Sequence, residues 1–208
     1  MLEALLADRR RGAVAIALDA AELLARLSPA ERAAAAARLV DAHPAMAPLR
    51  LLSRADDPAA FADALRAHMD EAVGRAAGVV AGRRVLTISH SSVVEQALRS
   101  GRAAEIHCLR SEPGGEGAAL AARLGAHLWE DAQLDEAAAA ADVGLVGADA
   151  VGLDSFVNKV GTAALCRALP TWMIDVPEKR LAPDEFAECA AALGDLFEVV
   201  PLDLVRRP

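Results

Sequence analysis

The chain has 208 residues, enough for one well-filled domain or two small ones and past the size that needs disulfide or metal staples. Its formal net charge of −8 argues against a nucleic-acid surface or an anionic membrane as partner. Three widely spaced cysteines, Cys108, Cys166 and Cys189, lack metal-ligand spacing, so reduced thiols, a cytoplasmic location and no metal site are expected.

The opening stretch MLEALLADRRR has no apolar core of signal-peptide length, and no apolar run reaches membrane-spanning length. Residues 12–27 place Val14, Ala17, Leu24 and Leu27 near a 3.6 period, which predicts a helix. Ser28-Pro29-Ala30-Glu31 is a helix start: serine caps, proline suits the first turn, and glutamate follows three positions on. The alanine-rich run to about Val40 is expected to pack closely against a neighbour. Asp57-Pro58 opens a longer helix through Phe61, Leu65, Met69 and Val73, which the glycines at 78 and 82 end. Residues 1–80 therefore read as a helical N-terminal domain.

From Arg83 the pattern changes. Val85-Leu86-Thr87-Ile88, Glu105-Ile106-His107-Cys108-Leu109, Ala126-His127-Leu128-Trp129, Val143-Gly144-Leu145-Val146 and Trp172-Met173-Ile174 are apolar runs of strand length. Helical stretches at 93–99, 117–124, 134–140 and 160–169 separate them. Such alternation predicts βαβ units, so residues 81–208 read as a Rossmann-like α/β domain with a doubly wound, mostly parallel sheet.

In such a sheet, ligands bind outside the carboxyl ends of the strands, near the switch in strand order. The first strand runs into Ser89-His90-Ser91-Ser92, and the second ends at Ser111-Glu112-Pro113-Gly114-Gly115-Glu116-Gly117. The fourth ends at Gly147-Ala148-Asp149, and Val157-Asn158-Lys159-Val160-Gly161-Thr162 is read as opening the next helix. Two lysines, Lys159 and Lys179, and one asparagine, Asn158, survive in a chain otherwise drawn towards Arg and Ala, which marks them for attention. Hydroxyls and backbone N–H groups at a helix start, a lysine, an amide and a carboxylate together suit a phosphorylated polyol. Each piece also has a plainer reading: Asp149 as a turn residue, the serines as helix caps, Gly114-Gly115 as a loop. His43, His68, His107 and His127 are scattered and read as core or surface, whereas His90 lies within the serine cluster. There is no G-x-G-x-x-G or P-loop, so no nucleotide cofactor is invoked.

In order and spacing these segments resemble the superfamily that joins the alpha, beta and delta subunits of translation initiation factor 2B with ribose-1,5-bisphosphate isomerase and methylthioribose-1-phosphate isomerase. Arg11-Gly12-Ala13 is similar to the family's N-terminal R-G-A, and Phe197-Glu198-Val199-Val200-Pro201 to its C-terminal F-D-V-x-P. The resemblance implies a helical domain before a Rossmann-like domain and a homodimer through the latter. It implies a small phosphorylated sugar or nucleotide as ligand, with no cofactor. By position it makes Asp149 the acid/base, with Ser89 or His90 in the place of the family's catalytic cysteine. Arg11, Gly12, Ser91, Gly115, Asn158, Lys159 and Lys179 fall on substrate-binding positions.

Two departures stand out: Ser89 replaces the thiol, and Glu112 replaces an arginine that anchors phosphate or hydroxyls. Serine is far harder to deprotonate than cysteine and relays protons poorly without a base beside it. Cys108, one strand away, reads as core rather than as a substitute thiol. The chain is also expected to be well shorter than typical members. Two readings stay open, an aldose–ketose isomerase of pentose 1-phosphates and a non-catalytic regulatory protein like the factor subunits.

Overall fold

The structure is a computed structural model describing residues 1–208. Five helices come first: α1 (Leu2–Ala7), α2 (Ala13–Leu24), α3 (Pro29–Ala42), α4 (Ala47–Ser53) and α5 (Pro58–Val80). The Ser28–Glu31 capping box forms, with the Ser28 N–H donating to Glu31 Oε2 at 3.1 Å. Asp57 caps α5 by accepting from the Ala59 and Ala60 N–H groups at 2.8 and 3.2 Å. One face of α5 is buried at Ala62, Leu65, Met69, Ala72, Ala76 and Val80, the spacing of a helical stripe. The closely packed alanine helix is α2, not α3. Ala13, Ala17, Ala20 and Ala21 of α2 are buried, whereas α3 buries only Ala35, Ala36 and Leu39. Helices α1 and α4, too short for a periodic signal, were not expected.

A six-stranded parallel sheet follows, built from β1 (Arg84–Thr87), β2 (Glu105–Leu109), β3 (His127–Trp129), β4 (Val143–Val146), β7 (Thr171–Met173) and β9 (Val205–Arg206). Its order is β3-β2-β1-β4-β7-β9, the doubly wound arrangement. Helices α6 (Ser92–Ser100), α7 (Glu116–Leu124), α8 (Leu134–Ala140) and α9 (Thr162–Ala168) connect the strands. Successive strand residues face opposite layers. Val85, Val143 and Leu145 join a 29-residue core with the helical segment and α6, whereas Leu86 and Val146 join a 14-residue core with α8 and α9. A sheet covered on both sides explains why its strands read as unbroken apolar runs.

A second, three-stranded antiparallel sheet was not expected: β5 (Ala150–Val151), β6 (Ser155–Lys159) and β8 (Phe197–Pro201), in the order β5-β6-β8. The Phe156–Lys159 stretch is thus a strand and not the start of a helix. Phe156 and Val157 point into different cores, and α9 begins only after Gly161 at φ +96°. One further helix, α10 (Pro183–Ala191), precedes β8. No helix is long and apolar enough to cross a membrane.

Candidate functional site

Strand order reverses between β1 and β4, so the connections leaving their carboxyl ends diverge and open a crevice there. The helical segment closes over it, leaving a cavity of about 210 Å³. Residues 8–14 and 42–46 form its roof, and the β1–α6 and β4–β5 connections its floor. Asn158 and Lys159 of β6, Lys179 and the α10–β8 connection complete the wall. Nine residues singled out in the sequence line this cavity: Arg11, Gly12, Ser89, His90, Ser91, Asp149, Asn158, Lys159 and Lys179. Gly115 does not. It sits just outside, at φ +68° before α7, where a left-handed residue is needed to turn the chain into the helix.

Asp149 follows β4, its backbone fixed by an N–H bond to the Val157 carbonyl at 2.8 Å and by the Ala47 N–H donating to its own carbonyl at 2.9 Å. Its side chain is buried, and burial lifts the carboxyl to about 6, against the pull of Lys179 and the Ala13 amide, with Glu116 pushing it further up. A carboxyl poised there can both take and give a proton near neutral pH. Lys179, at the end of the turn Pro177–Lys179, is also buried, and burial lowers its pKa against the opposing charges of Asp149 and Asp175. Lys159 differs: its Nζ lies 3.2 Å from Glu116 Oε1 and 3.1 Å from Oε2, a buried ion pair at the cavity wall. Glu116 Oε2 is within reach but off the hydrogen-bonding direction, and so keeps an unsatisfied acceptor. Asn158 donates through Nδ2 to Thr162 Oγ1 at 3.0 Å, and Thr162 Oγ1 donates to the Lys159 carbonyl at 2.6 Å, which secures the β6–α9 corner. Arg11 is held by Asp8 and Asp19, each at 2.6 Å, so two carboxylates already occupy its guanidinium.

Ser89 sits at φ +64°, with its N–H donating to Ser111 Oγ at 2.7 Å. No base is hydrogen-bonded to its hydroxyl. His90, the expected substitute, turns away: its Nε2 is 3.1 Å from Glu95 Oε2, and Arg123 converges on the same pair. That charged cluster on α6 and α7 holds the imidazole, so its place in the cavity lining does not make it a partner for Ser89. Ser91 caps α6, accepting from the Val94 N–H at 3.5 Å, the plainer of its two readings. Gly12 is needed for close approach, because a Cβ there would lie 3.0 Å from the His90 carbonyl oxygen. Cys108 is wholly buried beside Leu120 and Ala121, and burial lifts its thiol to about 12, so it is a core residue. Glu112 is exposed and lies outside the cavity lining.

Sequence reasoning missed Glu116, which only the β6–α7 juxtaposition pairs with Lys159. It also missed Arg9 and Arg10, which lie at the cavity roof beside Arg11. His43 was read as core or surface. It is buried with Nε2 2.7 Å from the Leu5 carbonyl, and burial lowers its pKa, so its neutral ring forms part of the roof. Met46, Ile88, Leu196 and Phe197 add apolar surface to the lining, with Phe197 paired to Lys159 across β6 and β8. Five cationic side chains (Arg9, Arg10, Arg11, Lys159, Lys179) and three carboxylates (Asp8, Glu116, Asp149) therefore border one small cavity with an apolar side.

No family model matches the chain. No curated protein matches it either. Among solved structures, the translation initiation factor eIF-2B of Pyrococcus horikoshii OT3 superposes with a TM-score of 0.83 at 23% identity, covering 99% of this chain and 91% of that one. The tetrameric eIF2B-beta2-delta2 complex of C. thermophilum matches with a TM-score of 0.67 at 19% identity, over 99% of this chain and 86% of that one. The 5-methylthioribose 1-phosphate isomerase of P. horikoshii OT3 matches with a TM-score of 0.62 at 18% identity, over 98% and 80%. The chain has the fold common to these proteins. It spans most of each, so the marked shortening expected from the sequence is not seen against them.

Proposed function

We propose that this protein binds a small phosphorylated sugar, or a nucleotide of similar size, in the cavity at the ends of β1 and β4. The observation that carries this reading is that Arg11, Asp149, Asn158, Lys159 and Lys179 line one cavity. The lysines suit a phosphate, while Asp149 and Asn158 suit sugar hydroxyls, and Arg11 would have to give up one of its carboxylate partners to join them. Solved relatives by fold include both initiation-factor subunits and an isomerase acting on a sugar phosphate, so turnover is a separate question. Ser89 has no base to activate it, which favours a binding or regulatory protein over an isomerase built on a serine relay. An isomerase here would shuttle its proton through Asp149. A homodimer through the C-terminal half is part of the same reading, supported by the exposed Leu153, Val160 and Val199 beside the small sheet. The cytoplasm fits three buried, unpaired cysteines.

Calorimetric titration with ribose 1,5-bisphosphate and methylthioribose 1-phosphate, beside an assay for ketose formation, tests this directly. Saturable binding lost in Lys159→Met is expected. Absence of binding by both compounds and by inorganic phosphate would overturn it. Ketose formation in the unaltered protein would remove the purely regulatory reading, and its loss in Asp149→Asn would assign the proton route to Asp149.

A further inference from the structure

Ser89 in the cavity lining, at φ +64°, and Ser111 next to it, at φ +68°, both hold left-handed backbone although neither is glycine. A Cβ crowds the backbone there, and such residues persist only where their surroundings over-determine them. The two serines are tied together. The Ser89 N–H donates to Ser111 Oγ at 2.7 Å, and that hydroxyl donates to the Leu109 carbonyl at 3.0 Å. Ser111 also reaches the cavity wall by a second route. Its carbonyl accepts from the Gly115 N–H at 3.0 Å, immediately before α7, whose first residue is Glu116, the partner of Lys159. A Cβ on Gly117 would lie 2.8 Å from Ser111 Oγ, so the hydroxyl is seated against the first turn of α7. Ser89 and Glu116 are thus both set from Ser111.

Ser111 is itself fixed from outside the cavity. Asp131 opens the 3₁₀ turn Asp131–Gln133 that follows β3, and its carboxylate spans two successive amides. Oδ1 accepts from the Ser111 N–H and Oδ2 from the Glu112 N–H, each at 2.8 Å. Bonds from backbone amides to a carboxylate are among the stronger ones a protein makes. The neighbouring Arg110–Glu130 ion pair, 2.7 Å long, is exposed to solvent and contributes little beside them. We propose that Asp131 is a positioning residue of the cavity: it clamps the Ser111–Glu112 backbone and so sets Ser89 on the floor and Glu116 against Lys159. Asp131 does not line the cavity and acts only through Ser111. The clamp stands on these contacts alone, whereas its effect on ligand affinity rests on the sugar-phosphate reading.

Amide hydrogen exchange followed by NMR, beside calorimetric titration with ribose 1,5-bisphosphate, tests this in the full chain. In Asp131→Ala the Ser89 amide should exchange at least about tenfold faster, the factor that one lost charge-assisted bond supplies, while Leu65 in the core of α5 keeps the parent's rate. Asp131→Asn retains one acceptor oxygen and should fall between the two, and Glu130→Gln, which removes only the exposed pair, should match the parent. Affinity for the bisphosphate should follow the same order, weakening at least about tenfold in Asp131→Ala. An unchanged Ser89 rate, or an acceleration shared equally by Leu65, would overturn the clamp. Local acceleration with undiminished affinity would overturn its role in the cavity. A parent that binds neither the bisphosphate nor inorganic phosphate, with Ser89 still responding, would uphold the clamp and refute the phosphate reading.

Discussion

Replacing Asp149 with asparagine should stabilise the protein at neutral pH, although it removes the central carboxyl of the cavity. The buried carboxyl is lifted from 3.8 to about 6 in the folded state. Between those values the folded protein binds more protons than the unfolded chain, so this group's contribution is most favourable below 3.8 and worsens as pH rises through 6. At pH 7 the ionised carboxylate then costs about 3 kcal/mol, and at pH 5 about half as much. Asparagine fits the same space and has no charge to bury. Part of the gain is returned because Lys179 loses an opposing charge that helps keep its ammonium form. Urea denaturation of both proteins at pH 7 and pH 5 checks this. The expected result is a more stable variant whose advantage is about 1–3 kcal/mol at pH 7 and clearly smaller at pH 5. A variant less stable than the parent at pH 7, or a gain identical at the two pH values, would refute the burial account of Asp149. Stability gained by removing a functional charge is the usual signature of a site held against its own desolvation cost.

Lys159→Met should cost about 3–5 kcal/mol in the same denaturation assay, because it leaves the Glu116 carboxylate buried without its partner. Adding Glu116→Gln should recover much of that loss, and additive losses would show that the pair is not coupled. Gly117→Ala should lower stability by about 3 kcal/mol or more, since its Cβ would lie 1.8 Å from the Leu109 carbonyl oxygen, and an unchanged melting temperature would contradict that close approach. Under the isomerase reading, Ser89→Cys, which puts a thiol where the family resemblance implies the catalytic cysteine, should create or raise ketose formation from ribose 1,5-bisphosphate, while an inert variant that still binds the compound would count against that reading. The proposed homodimer is checked by light scattering: the unaltered protein should have the molar mass of a dimer and Leu153→Asp that of a monomer, a persisting dimer would place the contact elsewhere, and a monomeric parent would refute the dimer.

The fold was legible where a single periodicity governed a segment. Strands β2 and β4 and helix α5 lie where their patterns put them, because a strand buried on both faces and a helix with one apolar stripe leave unambiguous traces. The second sheet was not legible. Strand β5 has two residues, and β6 alternates between two cores that exist only once the chain has folded. The candidate site was legible as residue types at strand ends, since the carboxyl edge of a doubly wound sheet is where ligands bind whatever the chemistry. Its electrostatics were not, as His90 shows. Adjacent to Ser89 in sequence, it is drawn off by Glu95 five residues later and by Arg123 from another helix.

Length and composition bounded the size of this protein, and its alternating patterns determined a doubly wound sheet behind a helical segment. The survival of two lysines and one asparagine in a chain rich in alanine and arginine pointed to residues that line one cavity. Tertiary structure alone decided what those residues are. Lys159 is paired with Glu116 across 43 positions of sequence, Lys179 is buried among the charges of Asp149 and Asp175, and the Asp149 carboxyl is lifted to about 6 by its burial. Side-chain charge states depend on desolvation and on partners within a few ångströms, and both are set by packing between segments distant in sequence.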